Sequence, residues 1–280
     1  MDLLGSWLHW AINKPNPLVQ IFYGMIACGG YYIYVKVVFF NYCPGPYLAG
    51  WHRYTGSLLM FVCYYSFYKA CTVDPGVIED RAQARVSQRR YAYDEVMFKL
   101  KNICPTCKIE KPARSKHCAV CDRCVEKFDH HCIWLNQCVG RKNYKWFLSF
   151  IFLHIWICLY GSVAGIAVFL GEKKKIDSQG VMFKNMRTGE QVKPTLGVHL
   201  RYFFLSQERH FGIVLIICIL MFFVLSGFLI YHLRLAKSNQ TTNESFKRHD
   251  FNMALKHEHK VLKDLIEECK NHEPKKGEDG

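Results

Sequence analysis

The stretch from Cys104 to Phe147 constrains this chain more than any other, because its metal-binding residue types recur at a fixed interval. It holds seven cysteines and three histidines. Cys104, Cys107, His117 and Cys124 form the pattern C-x2-C-x9-H-x6-C, and a shift of fourteen residues reproduces it as Cys118, Cys121, His131 and Cys138. Each copy offers three thiolates and one imidazole, a set that closes a tetrahedral zinc site. The copies overlap, so the two sites interleave along the chain. Eight ligands fill them, and His130 and Cys132 are left over.

A zinc with four protein ligands has no open position for water or substrate, so both metals read as structural. Any chemistry then falls to the spare pair. A cysteine is a nucleophile as its thiolate, and a neighbouring imidazole can take the thiol proton. Asp129 precedes His130 and is placed to orient the ring or to stabilise the imidazolium. Ser115-Lys116-His117-Cys118 in the first copy aligns with Asp129-His130-His131-Cys132 in the second, and only the second has the acid and the extra imidazole. The simpler alternative is a zinc scaffold with an inert leftover thiol.

Asp129-His130-His131-Cys132 within this frame resembles the DHHC family of protein S-acyltransferases (palmitoyltransferases). The resemblance runs without a gap from Cys104 through Asn143 to Phe147 and includes Lys111-Pro112, Arg114 and Cys138. It implies that a fatty acyl-CoA acylates Cys132, which passes the acyl group to a protein cysteine. It implies the same ligand assignment as the repeat: Cys104, Cys107, His117 and Cys124 on one zinc, Cys118, Cys121, His131 and Cys138 on the other. Asp74-Pro75-Gly76 matches the family's DPG motif. Thr241-Thr242-Asn243-Glu244 matches its TTxE motif, which packs against the catalytic module, and Thr241 and Glu244 also have capping-box spacing. Asp94-Glu95-Val96-Met97-Phe98, Lys111–Cys118 and Asn239–Glu244 look like the subfamily containing mammalian member four, which suggests the endoplasmic reticulum or Golgi.

The remaining sequence is that of an all-α integral membrane protein. Half of its 280 residues are hydrophobic, and they concentrate in four blocks. The expected spans are 18–40, 48–71, 147–170 and 211–233, each near the ~20 residues that cross a bilayer as a helix. The expected organisation is an interfacial segment 1–17, two transmembrane helices in 18–71, the cytosolic zinc module 72–146, a third helix 147–170, a lumenal loop 171–210, a fourth helix 211–233 and a cytosolic tail 234–280. Leu3, Leu4, Trp7, Leu8 and Ala11 fall at helical spacing, as an interfacial helix would have them. Gly161 and Gly165 form a small-xxx-small pair for close helix contact. Four spans put both termini and the zinc module on one side. The connector 41–47 has no Lys or Arg, 72–146 has fifteen and 171–210 has eight, so the positive-inside rule supports this orientation without deciding it. Zinc thiolates and a reactive thiol belong in a reducing compartment, which decides for the cytosol. The net charge of +14 fits an anionic lipid surface rather than nucleic acid. Met1–Pro17 has neither the basic start nor the apolar run of a cleavable signal peptide.

This places Cys132 at the membrane surface. An acyl chain would lie between the helices with its CoA in the cytosol, and each buried methylene contributes about 0.8 kcal/mol. Trp134, Phe147 and Phe150 are the candidates for the pocket mouth, and Lys111, Arg114 and Lys116 for the CoA phosphates. Protein substrates would present membrane-proximal cysteines. A non-catalytic membrane-anchored zinc adaptor is the alternative, but an adaptor has no use for Asp129, His130 and Cys132 together. RING-type ligand spacing does not fit the fourteen-residue repeat. In the tail, Phe251, Leu255, Leu262, Leu265, Ile266 and Cys269 repeat at helical intervals and predict an amphipathic helix.

Overall fold

The computed structural model describes Trp10 and residues 14–184, 188–205 and 209–271. The expected helix from Leu3 to Ala11 therefore falls, apart from Trp10, outside the described residues. The chain begins with α1 (Leu18–Tyr34), which continues as a π-helical segment, Val35–Tyr42. A widened turn leaves carbonyls without their usual i→i−4 donors. Arg53 supplies one replacement, its Nε donating to the Phe39 carbonyl at 2.9 Å. α2 (His52–Thr72) follows, then β1 (Val77–Ile78) and α3 (Arg81–Gln88). The Asp80 carboxylate caps α3 by accepting from the Gln83 N–H at 2.7 Å.

Two hairpins form the module: β2 (Lys116–Cys118) with β3 (Arg123–Val125), and β4 (His130–Cys132) with β5 (Gln137–Val139). β1 adds to the open edge of β3. After the module come α4 (Tyr144–Ser178), a short hairpin of β6 (Phe183–Lys184) and β7 (Gln191–Val192), α5 (Leu196–Leu205), α6 (Arg209–Lys237) and α7 (Thr242–Asn271). The protein is mostly helical, as its sequence predicts. The all-α expectation omitted the short strands, because three-residue strands held by metal ligands leave no period-2 hydrophobic pattern to read.

Three helices among the described residues are long and apolar enough to cross a membrane: Leu18–Tyr42, Tyr144–Ser178 and Phe211–Lys237. Together with the relatives described below, they make this a membrane protein. α2 has the length, at 21 residues, but His52, Arg53 and Lys69 lower its hydropathy. It packs lengthwise on α4 all the same. α4 is 35 residues, roughly 50 Å of helix. It starts at Tyr144, three residues before the expected span, and passes through Lys173-Lys174-Lys175 to Ser178. The segment 171–210 is also more structured than the word loop suggests, since it includes β6, β7 and α5.

α4 and α6 form the closest helix pair, and the two small residues explain it. A Cβ on Gly165 would stand 2.7 Å from the Leu215 side chain, and one on Gly161 would stand 2.8 Å from Cys218 Sγ. The expected small-xxx-small contact is therefore made, against α6. At the end of the bundle away from the hairpins, Val37, Val38, Val168, Phe203, Phe211 and Leu215 form one core. At the other end the module is stapled to the helices. Gln20 Nε2 donates to the Leu135 carbonyl at 2.9 Å, and Gln137 Nε2 donates to the Ala70 carbonyl. Asp74 closes the turn after α2 by accepting from the N–H groups of Gly76 and Val77, both at 3.0 Å, and pairs with Lys142 at 2.6 Å.

Candidate functional site

The fourteen-residue repeat becomes a structural repeat. His117 faces Cys124 across the first hairpin, and His131 faces Cys138 across the second, in the same register. In each copy the second cysteine's N–H points at the first cysteine's sulfur, at 3.4 Å for Cys107 on Cys104 and 3.5 Å for Cys121 on Cys118. The chain leaves each knuckle through a left-handed residue, Lys108 at φ 54° and Asp122 at φ 52°.

The structure brings together both predicted ligand sets. The donor atoms of Cys104, Cys107, His117 and Cys124 lie within 4.8 Å of one another, as do those of Cys118, Cys121, His131 and Cys138, so each cluster could hold a metal ion. Their dimensions fit zinc. Bonds of about 2.3 Å to sulfur and 2.0–2.1 Å to nitrogen give tetrahedron edges of roughly 3.5–3.8 Å. His131 Nδ1 stands 3.7, 3.3 and 3.8 Å from the sulfurs of Cys118, Cys121 and Cys138. His117 Nδ1 stands 3.3 Å from Cys107 and 3.9 Å from Cys124. In both clusters Nδ1 is the nitrogen aimed at the thiols. The other nitrogen of His117 is 3.4 Å from the Asp122 carboxylate, an arrangement that orients a metal-ligating imidazole.

Cys132 and His130 stand outside both clusters. Cys132 is buried, 8% exposed, in a core with Ala70, Leu135, Val139, Phe147 and Ile151. This core joins the second hairpin to α2 and α4, so the thiol sits where the module meets the helices. Phe147 is fully within this core and Phe150 packs against it, whereas Trp134 is 44% exposed at the hairpin tip.

The thiol occupies a position that the sequence reading did not connect with the repeat. Cys104, Cys118 and Cys132 are successive first cysteines of three knuckles spaced by fourteen residues. In the third knuckle Leu135 stands where Cys107 and Cys121 stand in the others, and the left-handed residue recurs as Asn136 at φ 50°. Leu135 is 1% exposed and fills the core. The third knuckle keeps the fold of a metal knuckle without its second thiol, and Cys132 lies outside both clusters.

His130 donates through Nδ1 to Asp129 Oδ2 at 2.7 Å, which leaves Nε2 as the ring nitrogen open to a second partner. The Cys132 thiol is a near neighbour that favours the charged ring. Burial works against the imidazolium, but Asp129 and then Cys132 hold it, and the pKa is pushed up to about 9. Asp129 is 3% exposed. Burial would raise its pKa, and bonds from His130 and Thr242 more than offset this, holding the carboxyl below its usual range.

The tail supplies the rest of the Asp129 shell. Thr242 donates its N–H to Asp129 Oδ1 at 2.9 Å and its hydroxyl to Oδ2 at 2.8 Å. The Asn243 N–H donates to the Asp129 carbonyl at 3.2 Å. The predicted capping box forms at the same place. Thr241 N–H donates to Glu244 Oε2 at 3.0 Å, and Glu244 N–H donates to Thr241 Oγ1 at 3.2 Å. Both readings of Thr241–Glu244, helix cap and contact with the module, hold together.

The basic candidates are divided. Lys116 is exposed beside the Phe128 ring, and Lys111 is half-buried. Arg114 has protein partners instead. Its Nε and Nη2 form a fork on Glu244 at 2.6 and 2.7 Å, and its guanidinium also donates to Asn239. Thr242 is the polar group that sequence reasoning left out of the site. The TTxE match was the available signal, but it did not say which threonine faces which acid.

Two cysteine-histidine clusters that could each hold a metal ion, one module thiol outside both, and helices long and apolar enough to cross a membrane define a membrane protein with a cysteine-rich module. The family profile described as DHHC palmitoyltransferase matches residues 97–249. The chain is 34% identical over 247 residues to palmitoyltransferase ZDHHC4 of Bos taurus, covering 86% of this chain and 69% of that protein. It is 31% identical to palmitoyltransferase ZDHHC4 of Mus musculus, with 86% and 69% covered. It is 34% identical to palmitoyltransferase swf1 of Schizosaccharomyces pombe, with 88% and 63% covered. The chain belongs to the DHHC family of protein S-acyltransferases, and its activity is protein S-palmitoylation. The ZDHHC4 relatives agree with the subfamily expected from the three short signatures.

Proposed function

We propose that this protein moves a long-chain fatty acyl group from acyl-CoA to cysteine thiols of membrane-associated proteins through an acyl-Cys132 intermediate. The observation that carries this is the hydrogen-bonded chain Thr242–Asp129–His130 beside Cys132, the one module thiol outside the two clusters. His130 Nε2 takes the Cys132 proton, and the thiolate attacks the acyl carbonyl carbon. The carbon–sulfur bond to CoA breaks, and the CoA thiolate leaves with the proton from His130. In the second half an incoming protein thiol gives its proton to His130, attacks the new thioester and displaces Cys132, which is reprotonated. Asp129 keeps Nδ1 protonated and stabilises the imidazolium, a role that its Thr242 bonds support.

The two clusters would hold structural zinc, with Cys104, Cys107, His117 and Cys124 on one ion and Cys118, Cys121, His131 and Cys138 on the other. Bound zinc would fix the hairpins, and with them the position of Cys132. The acyl chain would enter between the helices beside Phe147 and Phe150, with Trp134 at the mouth. Lys111, Lys116 and Arg114 lie on the face proposed for the CoA phosphates, where Arg114 would act from within its Glu244 pair. α1 with its π-helical continuation, α2, α4 and α6 would make four spans, with the module and both termini in the cytosol. An endoplasmic reticulum or Golgi membrane agrees with the reducing side that the module needs.

Mass spectrometry after incubation with palmitoyl-CoA tests the reading. The expected product is a hydroxylamine-sensitive palmitoyl adduct on Cys132, absent from Cys132→Ser. Normal acylation and transfer by Cys132→Ser would overturn it.

A further inference from the structure

We propose that His232, braced by Tyr144, is a positioning residue that holds the His130 imidazole against Cys132; this rests on the catalytic reading above. His232 lies near the module end of α6, in a stretch that is otherwise almost wholly apolar. It is 1% exposed and among the largest side chains fully buried. A buried histidine in an apolar helix carries a desolvation cost that leucine or phenylalanine would avoid, so its neighbours indicate what it does there.

Those neighbours are the site. The His232 ring meets Phe147 edge-on at 5.0 Å between centroids and stands 6.0 Å from His130. His130 meets Phe147 at 5.1 Å. The three rings close a triangle. The ring of His130 is bonded at one corner, Nδ1 to Asp129. One bond at one corner lets a ring pivot, and Nε2 faces Cys132 only if something supports its flanks. Among the described residues, the ring contacts of His130 are with Phe147 and His232. Support of this kind from neighbouring packing is what keeps a reacting group in productive geometry.

Tyr144 gives a reason for histidine at this position. Its hydroxyl lies 3.3 Å from His232 Nδ1 and 3.4 Å from the His232 carbonyl. A phenylalanine at 232 would keep the triangle and lose the bond that sets its tilt. A leucine would lose both.

The test uses the full-length protein in detergent with its metals bound and reads the rate of acyl-Cys132 formation from palmitoyl-CoA. His232→Leu is expected to slow this step about tenfold, the upper range for one lost ring contact. Metal content and the half-saturating acyl-CoA concentration should not change. His232→Phe restores the ring and should recover to within about threefold of wild type, matching Tyr144→Phe, as one neutral hydrogen bond predicts. In a His130→Ala background, His232→Leu should cause no further slowing, because it acts through a ring no longer present. Equal slowing in both backgrounds would mean general packing and overturn the proposal. So would an unchanged rate in His232→Leu when His130→Ala alone is slow. If His130→Ala itself is not slow, the catalytic reading beneath the proposal fails first and takes the proposal with it.

Discussion

Arg114→Ala should undock the start of α7 from the module while leaving both metal clusters intact. The Arg114 and Glu244 side chains are only 12% and 7% exposed. The fork between them is made at 2.6 and 2.7 Å, and Arg114 also reaches the Asn239 carbonyl at 2.7 Å. Removing the arginine leaves a buried carboxylate whose remaining donor among the described residues is the Thr241 N–H. Breaking a buried pair from one side costs about 3–5 kcal/mol, a factor of about 10²–10⁴ in the population with the tail undocked. Because Thr242 rides on the same turn, undocking also strips two donors from Asp129. Limited proteolysis of the segment around residue 240 reads the undocked fraction, acyl-enzyme formation reads the effect on the site, and metal content serves as the control. Arg114→Met combined with Glu244→Gln should recover much of the loss, since no buried charge is left alone. Had this pair the energetics of a surface ion pair, Arg114→Ala would cost under about 1 kcal/mol. A shift that small, or a double variant as loose as the single one, would refute the argument.

Metal analysis should give two zinc ions per chain; Cys121→Ala and His131→Ala should each lose metal and stable protein, whereas His130→Ala should keep both ions and acylate slowly. Glycosylation sites engineered into 188–205 should be modified and sites in 89–102 should not, and the opposite pattern would remove Cys132 from cytosolic acyl-CoA. The folded pKa of His130, raised from 6.5 to about 9, gives a sign to the pH dependence. The stability contributed by its pair with Asp129 is fully present below about 6.5 and is lost as pH rises through about 9. Thermal stability of the metal-loaded protein should therefore fall across that window, and His130→Gln should flatten the fall.

What the sequence made legible was whatever repeats or ionises. The ligand sets of both clusters follow from a spacing that one register explains, and the structure turns that register into two identical hairpins. Helices able to cross a membrane are legible where apolar residues run uninterrupted, as in α6; α2 has the length, but His52, Arg53 and Lys69 lower its hydropathy. The β-hairpins were invisible because their strands are three residues long and are specified by the metal ligands. Thr242 reaches Asp129 across 113 residues of sequence, a pairing that no local pattern encodes. The Arg114–Glu244 fork joins residues 130 positions apart, so the sequence offers Arg114 as a basic candidate for a phosphate without showing that Glu244 lies beneath it.

Cys132 joins the two kinds of information. As a residue left over from eight ligands it was legible by subtraction. As the first cysteine of a third knuckle it was not, because Leu135 breaks the pattern that would have revealed the repeat. That leucine also fits the proposed role of Cys132. A second thiol at 135 would face Cys132 as Cys107 faces Cys104, and two thiolates at that spacing compete for a metal rather than for an acyl group. With Leu135 buried in the core instead, the knuckle keeps its first sulfur outside both clusters, where the proposed mechanism needs it for His130 to act on.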